Sequence, residues 1–499
     1  MATTAKNSIA IDRPDFQIRP GKLYINGSWK EARDGKTRST INPCTEAEIT
    51  QIAQATVADV DEAIQSARKA FDSGPWPRLQ PHERARIMFK IAELIDKNAD
   101  ELAYREVIDM GMLWRDARDF CAPFVAECFR YYGGWCTKMS GAVPIAEPGR
   151  IAFTIREPLG VVAAITPFNV PMVLSTFKLA PALACGNTII HKPASITPLT
   201  AIKMAEIFEE AELPKGVFNL ITGPGGVVGQ QLVTSPMVDK IGVTGSTAVG
   251  KQIIKDAADT LKHVTAELGG KSPDIVFADA DLDLAIEAAA QGAFGNKGEQ
   301  CFGGTRLLVE KSIHDEVVER LKAKIADMRV GDPFDPETAI GPVADKSEYD
   351  KVLGYIKIGR EQDHVRVVSG GKRSAHQNGK GYFVDPTLMV HANNAMRVAQ
   401  EEIFGPVLTV IPFSTFDEAI KIANDIPYGL AAGVHTRDMK KALAATRAIQ
   451  AGVVWINTYG QFDFRMPFGG VKESGIGREL GPDVLDHYMQ TKAVWLYAV

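Results

Sequence analysis

From Gly160 to Glu267 the chain alternates short apolar runs with amphipathic segments of helical spacing. A parallel, doubly wound sheet covered on both faces buries such a pattern. Strands are expected at 160–166, 187–192, 217–222, 240–244 and 263–267. Between the second and third, Thr197 reads as an N-cap with Pro198 at the first helical position and Pro214 beyond the end. Gly245-Ser246-Thr247 leads into a helix expected over 247–261. Two helices come earlier, one with Val60, Ala63, Ile64, Ala67 and Phe71 on one face, the next with Ile87, Ile91, Leu94 and Ile95. A second α/β series starts at Asp274-Ile-Val-Phe and continues through the runs at Arg306 and Gly405, which implies a second sheet. The strand-like segments at Arg150 and Ala493 fit neither sheet and are expected to pair as a small projecting one.

At 499 residues the chain exceeds the roughly 250–300 residues at which one core stops growing, so several domains are expected. A net charge of -5 offers no basic field for nucleic acid or anionic lipid. No 18-residue apolar run and no basic-then-apolar leader are present, which predicts a cytoplasmic protein without a membrane span. Six cysteines without a CxxC pair, and nine histidines without close ligand spacing, predict neither a disulfide framework nor a metal site. No Gly-x-Ser-x-Gly elbow or P-loop occurs, so serine hydrolase and kinase chemistry lack support.

Helix N-termini at the carboxyl ends of parallel strands bind phosphates, which raises a dinucleotide. The usual fingerprint is absent: Gly223-Pro-Gly225-Gly-Val-Val-Gly229 misses it by one position, and Gly245 to Gly250 keeps only its outer glycines. Cys301 lies in a glycine-flanked polar segment, whereas Cys128, Cys136 and Cys185 sit in aromatic or alanine-rich stretches where a thiol serves as a small hydrophobe. A nucleophile at Cys301 needs a base or a lowered pKa. Glu267 ends an expected strand and so faces the ligand crevice, or acts only as a cap or surface acid. Asn169, at the end of another strand, is either an oxyanion donor or turn chemistry.

Seven strings together resemble the NAD(P)-dependent aldehyde dehydrogenase superfamily: Thr166-Pro-Phe-Asn169, Lys192-Pro-Ala, Thr244-Gly-Ser246-Thr, Glu267-Leu-Gly-Gly-Lys-Ser-Pro273, Gly298-x-x-Cys301, Glu402-Ile-Phe404-Gly-Pro-Val and Pro467-Phe-Gly-Gly-x-Lys-x-Ser-Gly-x-Gly-Arg-Glu479. The resemblance covers essentially the whole chain. It implies a Rossmann-like α/β cofactor domain (1–139 and 160–268), an α/β catalytic domain (269–480) and a small β oligomerisation element (140–159 and 481–499). A homodimer or homotetramer follows from it. By the same resemblance Cys301 attacks the aldehyde, Asn169 and the Cys301 N–H hold the oxyanion, Glu267 activates the water that hydrolyses the thioester, and Lys178 and Glu479 relay its proton. Thr166, Lys192, Ser195, Gly225, Gly245, Ser246, Glu402 and Phe404 are implied at the cofactor. An acylating relative that uses coenzyme A is the less favoured reading, because such members generally lack the base.

Two departures from the family pattern stand out. Ser195 occupies a position where many NAD-preferring members carry an acid, so NADP is expected to serve at least as well as NAD. Val243 stands where the family often has Phe, with no functional account. Matched pocket positions are Phe177, Gln300, Phe302, Phe462 and Phe468, which favour an apolar or aromatic aldehyde. Arg465 offers the alternative of a semialdehyde bound by its carboxylate. A catalytically silent binding or structural protein on the same fold is the rival class.

Overall fold

The computed structural model describes residues 13–497. The first twelve and last two residues, which the expected domain ranges and the leader reading include, lie outside the described residues.

All five expected strands form, at Val161–Ile165, Thr188–Lys192, Phe218–Leu220, Lys240–Thr244 and His263–Glu267. They pair in parallel, with His263–Glu267 and Lys240–Thr244 on one side of Val161–Ile165 and the other two on the far side. The direction of winding therefore reverses between Val161–Ile165 and Lys240–Thr244, and ligands of such sheets bind outside the carboxyl ends at that reversal. Asn169 follows one of these ends and Gly245-Ser246 the other. Antiparallel strands extend the sheet beyond the expected five: the hairpin Leu23–Lys30 joins one edge and Gly475–Ile476 pairs beside Glu267 at the other.

Apolar clusters cover both faces of this sheet. Val60, Ala63, Ile64 and Ala67 of helix Val57–Asp72 are fully buried against one face. Helix Pro171–Ala184 is buried along its whole length. It has no cap from its own N-cap residue; instead the Glu106 carboxylate accepts from the Met172 N–H at 3.4 Å. The expected cap at Thr197 is corrected in the same way. The helix runs Leu199–Glu210 with Pro198 at the cap position, and the Thr197 hydroxyl has no partner. Asp109 supplies the acceptor, taking the Leu199 N–H at 2.8 Å. Two carboxylates one turn apart on helix Ala99–Met110 thus terminate two neighbouring helices. The helix expected over 247–261 is α-helical for Thr247–Ala257 and ends in a 3₁₀ turn.

The second sheet has seven strands, with Pro273–Val276 central between Arg306–Glu310 and Ala431–His435, all parallel. Arg150–Pro158 and Met489–Tyr497 pair antiparallel over nine residues as a separate ribbon. Among the described residues, no helix is long and apolar enough to cross a membrane.

Candidate active site

Cys301 sits just past helix Leu282–Phe294, after a turn in which Asn296, Lys297 and Gly298 all take positive φ, at 45°, 52° and 77°. Such backbone costs about 1–2 kcal/mol for each non-glycine residue, and surrounding contacts must hold it. At Gly298 a Cβ would meet the Gly405 carbonyl at 2.2 Å, so glycine is required. The turn leaves Cys301 half-buried, while the other five cysteines are buried. Burial, then the nearby Glu402 and Glu267 carboxylates, push the Cys301 thiol well above its ordinary value.

Cys301, Asn169, Gln300, Phe177, Phe302, Phe462 and Phe468 line one cavity of about 590 Å³. Aromatic edges pack around it, with Phe302 against Phe462 at 4.8 Å and Phe462 against Phe468 at 5.2 Å between centroids. Asn169 is buried and donates from Nδ2 to the Glu299 carbonyl at 3.0 Å. An amide carries two N–H donors, so one stays available to a bound oxyanion. Arg465 is not among the residues lining the cavity; it is exposed and ion-paired with Asp463.

Glu267 lies at the end of its strand, 3% exposed. One carboxylate oxygen accepts from the Gly470 N–H at 3.3 Å and the other has no partner among the described residues. Burial first, then the charge of Glu479, holds its pKa well above the ordinary carboxylate range. A Cβ on Gly469 would stand 2.4 Å from the free oxygen, so this glycine keeps the carboxylate open. Behind it, the fully buried Lys178 donates to Glu479 and to the Thr244 hydroxyl, the latter at 2.6 Å.

Of the residues implied at the cofactor, Thr166, Lys192, Ser195, Gly225, Gly245 and Ser246 lie at or just after the carboxyl ends of the first sheet's parallel strands, while Glu402 and Phe404 come from the second α/β series. Lys192 is buried, its ammonium donating among the described residues to the Pro193 carbonyl at 3.2 Å, and burial lowers its pKa to about 8. Ser195 donates to the Gly223 carbonyl at 2.9 Å. Thr166 bonds His191 at 2.9 Å. Ser246 caps helix Thr247–Ala257 by accepting from Val249 N–H at 3.4 Å. Open space lies over Gly225 and Gly245, where a Cβ would meet nothing within 4 Å. Glu402 accepts from the Gly270 N–H at 3.0 Å, and burial raises its pKa to about 7. The ring of Phe404 meets that of Phe168 edge-on at 5.6 Å. A buried cation with no carboxylate partner among the described residues and an uncrowded helix N-terminus suit phosphates, and a buried carboxylate can accept from ribose hydroxyls.

Several lining residues carry no motif. Met112, Leu113, Arg115, Asp116, Phe120, Cys121 and Phe124 reach the cavity from the stretch after Gly111, where Asp116–Cys121 forms a π-helical turn. The four-residue spacing of Phe120 and Phe124 was the available signal. Tyr459 was also missed; its hydroxyl donates to the Phe302 carbonyl at 2.7 Å and pins the residue after Cys301.

A half-buried thiol, an amide with a free N–H donor and a buried carboxylate stand close together in this site, a grouping suited to chemistry at a carbonyl. The sequence profile described as "Aldehyde dehydrogenase family" matches residues 29–494, and the chain belongs to that family. It is 44% identical over 477 residues to an aldehyde dehydrogenase of Alternaria alternata, covering 95% of each chain. It is 43% identical over 484 residues to human mitochondrial 10-formyltetrahydrofolate dehydrogenase, covering 96% of this chain but 52% of that longer protein. An indole-3-acetaldehyde dehydrogenase of P. syringae, solved in complex with NAD+ and IAA, superposes with a TM-score of 0.94 at 42% identity, covering 96% of each chain. The protein is an NAD(P)-dependent aldehyde dehydrogenase.

Proposed function

We propose that Cys301 is the nucleophile of a hydrolytic aldehyde oxidation whose substrate is apolar or aromatic. The reading rests on one observation, the shared cavity that places Cys301 and Asn169 among six phenylalanines, Phe120, Phe124, Phe177, Phe302, Phe462 and Phe468. With its proton passed to Glu267, and from there to Lys178 and Glu479 before the water step, the Cys301 sulfur adds as thiolate to the carbonyl carbon, and the oxyanion takes hydrogen bonds from the Asn169 amide and the Cys301 N–H. Bound NAD(P)+ supplies a hydride acceptor. Loss of hydride from the carbon leaves a thioester at Cys301. Glu267 removes a proton from the attacking water, the carbon–sulfur bond breaks, and the acid and the Cys301 thiolate are released. Lys178 and Glu479 pass that proton away from Glu267.

Lys192 and Glu402 hold the two riboses, Ser246 and the backbone at Gly225 and Gly245 the pyrophosphate, and Thr166 and Phe404 flank the nicotinamide end. Ser195, a neutral hydroxyl near Lys192, supports acceptance of the NADP 2′-phosphate at least as readily as NAD. The exposure of Arg465 and its pairing with Asp463 favour the apolar substrate over a semialdehyde, as does the aromatic substrate named for the P. syringae relative. Glu267 in place supports hydrolysis over transfer to coenzyme A and over a silent protein. The exposed Ile151, Trp495, Leu496 and Tyr497 on the two-stranded ribbon support its role in joining copies into a dimer or tetramer. We further propose cytoplasmic residence and the domain division 1–139 with 160–268, 269–480, and 140–159 with 481–499.

Purified protein assayed with a broad aldehyde panel and both cofactors, with Cys301→Ala as control, tests the reading. Aromatic and long-chain aldehydes should give the highest kcat/KM. Preference for short carboxylated aldehydes would refute the substrate assignment.

A further inference from the structure

The segment that carries the nucleophile contains a buried ion pair that the chemistry above does not use. Lys297 and Glu299 are 1% and 0% exposed at their side chains, with Nζ 3.2 Å from the Glu299 carboxylate. Glu299 is itself anchored, its other oxygen accepting from the Ala344 N–H at 2.9 Å. From this position the Lys297 ammonium donates to Asn296 Oδ1 at 3.2 Å and contacts the Met110 sulfur at 3.4 Å. Glu106 and Asp116 are the other carboxylates whose charge it feels.

The Asn296 amide is the link to the reacting centre. With Oδ1 facing a cation, its Nδ2 is turned toward two carbonyls, Asn169 O at 2.8 Å and Glu299 O at 3.2 Å. Reversing the amide would set its NH₂ against the ammonium and its oxygen against two carbonyl oxygens. The Glu299 carbonyl also receives the Asn169 side-chain amide at 3.0 Å. Asn169 is therefore gripped at both its backbone carbonyl and its side chain by groups that Lys297 orients. The left-handed turn over Asn296–Gly298 explains how adjacent residues point into one network, and the ion pair across two positions clamps that turn.

We infer that Lys297 is a positioning residue for the reaction, acting through Asn296 to hold the Asn169 amide where the oxyanion forms. This rests on the assignment of Asn169 as oxyanion donor. Removing such a donor typically costs about 100- to 1000-fold in kcat, and loosening one costs part of that.

The test is steady-state kinetics of the full-length enzyme with NAD+ and the best aldehyde of the panel, for Lys297→Met, Asn169→Ala and the double variant. Lys297→Met should lower kcat about 10- to 100-fold with KM within about threefold. In the Asn169→Ala background the same change should alter kcat less than about threefold, because the group it positions is gone. Alkylation of Cys301 by iodoacetamide should keep its wild-type rate, which separates positioning from collapse of the loop. Lys297→Arg, which retains a cationic donor, should recover most of the loss. Should Lys297→Met fail to fold, Lys297→Met with Glu299→Gln removes both charges and should show the same kcat loss. The inference is overturned if Lys297→Met stays within threefold of wild type, if the two losses multiply in the double variant, or if alkylation falls with kcat. An Asn169→Ala enzyme of undiminished kcat would overturn the oxyanion assignment itself.

Discussion

Lys178 and Glu479 bury opposite charges behind the proposed base, and replacing Lys178 by Met separates their structural and catalytic contributions. The side chains are 0% and 4% exposed, and the ammonium also donates to Thr244 at 2.6 Å. Methionine nearly conserves the volume, so lost packing contributes less than about 1.5 kcal/mol. The larger effect is electrostatic: removing one partner of a buried pair typically destabilises by about 3–5 kcal/mol, because the remaining charge is uncompensated. Lys178→Met with Glu479→Gln leaves no such charge and should lie within about 2 kcal/mol of wild type, well short of the sum of the single losses. Urea unfolding followed by tryptophan fluorescence reads these differences. Catalysis supplies an independent sign. The Glu479 charge raises the Glu267 pKa and the Lys178 charge lowers it. Glu267 acts as a base when deprotonated, so activity rises with pH through its folded pKa. Lys178→Met should move that acidic limb to higher pH, and Glu479→Gln should move it to lower pH. Limbs that shift in the same direction, or stay fixed in both variants, would refute Glu267 as the group being titrated. Additive destabilisation in the double variant would refute the ion-pair argument.

The buried parallel strands were legible because each carries a short apolar stretch set between turn and helix signals, most plainly at Val161–Ile165. The edge strands were not. Gly475–Ile476 is two residues long and becomes a strand only because Ala266 and Glu267 offer it an unpaired edge. The misplaced cap at Thr197 has a similar cause: the acceptor for the Leu199 N–H comes from Asp109, 90 residues earlier, and no local pattern reports it. In the site, Cys301, Asn169 and the four matched phenylalanines meet in one cavity; Asn169 follows a strand end and Cys301 a helix end, where chain direction fixes the side-chain position, while Phe177 reaches the cavity from within helix Pro171–Ala184. Arg465 shares a loop with Phe462 and Phe468 but turns to Asp463, a choice set by a two-residue ion pair that motif position does not encode. The lining from Met112 to Phe124 depends on how the helix that follows the π-helical turn, Ala122–Trp135, packs against helix Pro171–Ala184, with Phe124 against Phe177, which is a tertiary fact. Buried titratable groups were the least legible element, since Glu106, Lys297 and Glu299 look like ordinary surface residues in sequence.

Cys301→Ala should abolish NAD(P)H formation, leaving less than about a thousandth of wild-type rate, while the urea midpoint changes by no more than a surface substitution would. Ser195→Glu should raise KM for NADP at least tenfold through repulsion of the 2′-phosphate and leave NAD kinetics nearly unchanged; equal effects on both cofactors would remove Ser195 from the ribose site. Glu106→Gln tests the buried carboxylate that caps helix Pro171–Ala184. Glutamine keeps an acceptor for the Met172 N–H and carries no charge at any pH. In the native protein burial raises the Glu106 pKa to about 8 from its ordinary 4.5. A carboxyl held neutral in the fold contributes its stability fully below the unfolded pKa and loses it as pH rises toward the folded one, because the unfolded chain gains by ionising first. The variant should therefore match wild type near pH 4.5 and exceed it increasingly up to pH 8, by about 4 kcal/mol at 1.36 kcal/mol per pH unit. Asp109, raised to about 7, remains in both proteins and cancels from the difference to first order. Urea midpoints at pH 5.5 and 8 read the trend. A difference that does not change with pH would mean that Glu106 is already ionised in the fold, its charge satisfied by neighbours such as the Met172 N–H and Lys297.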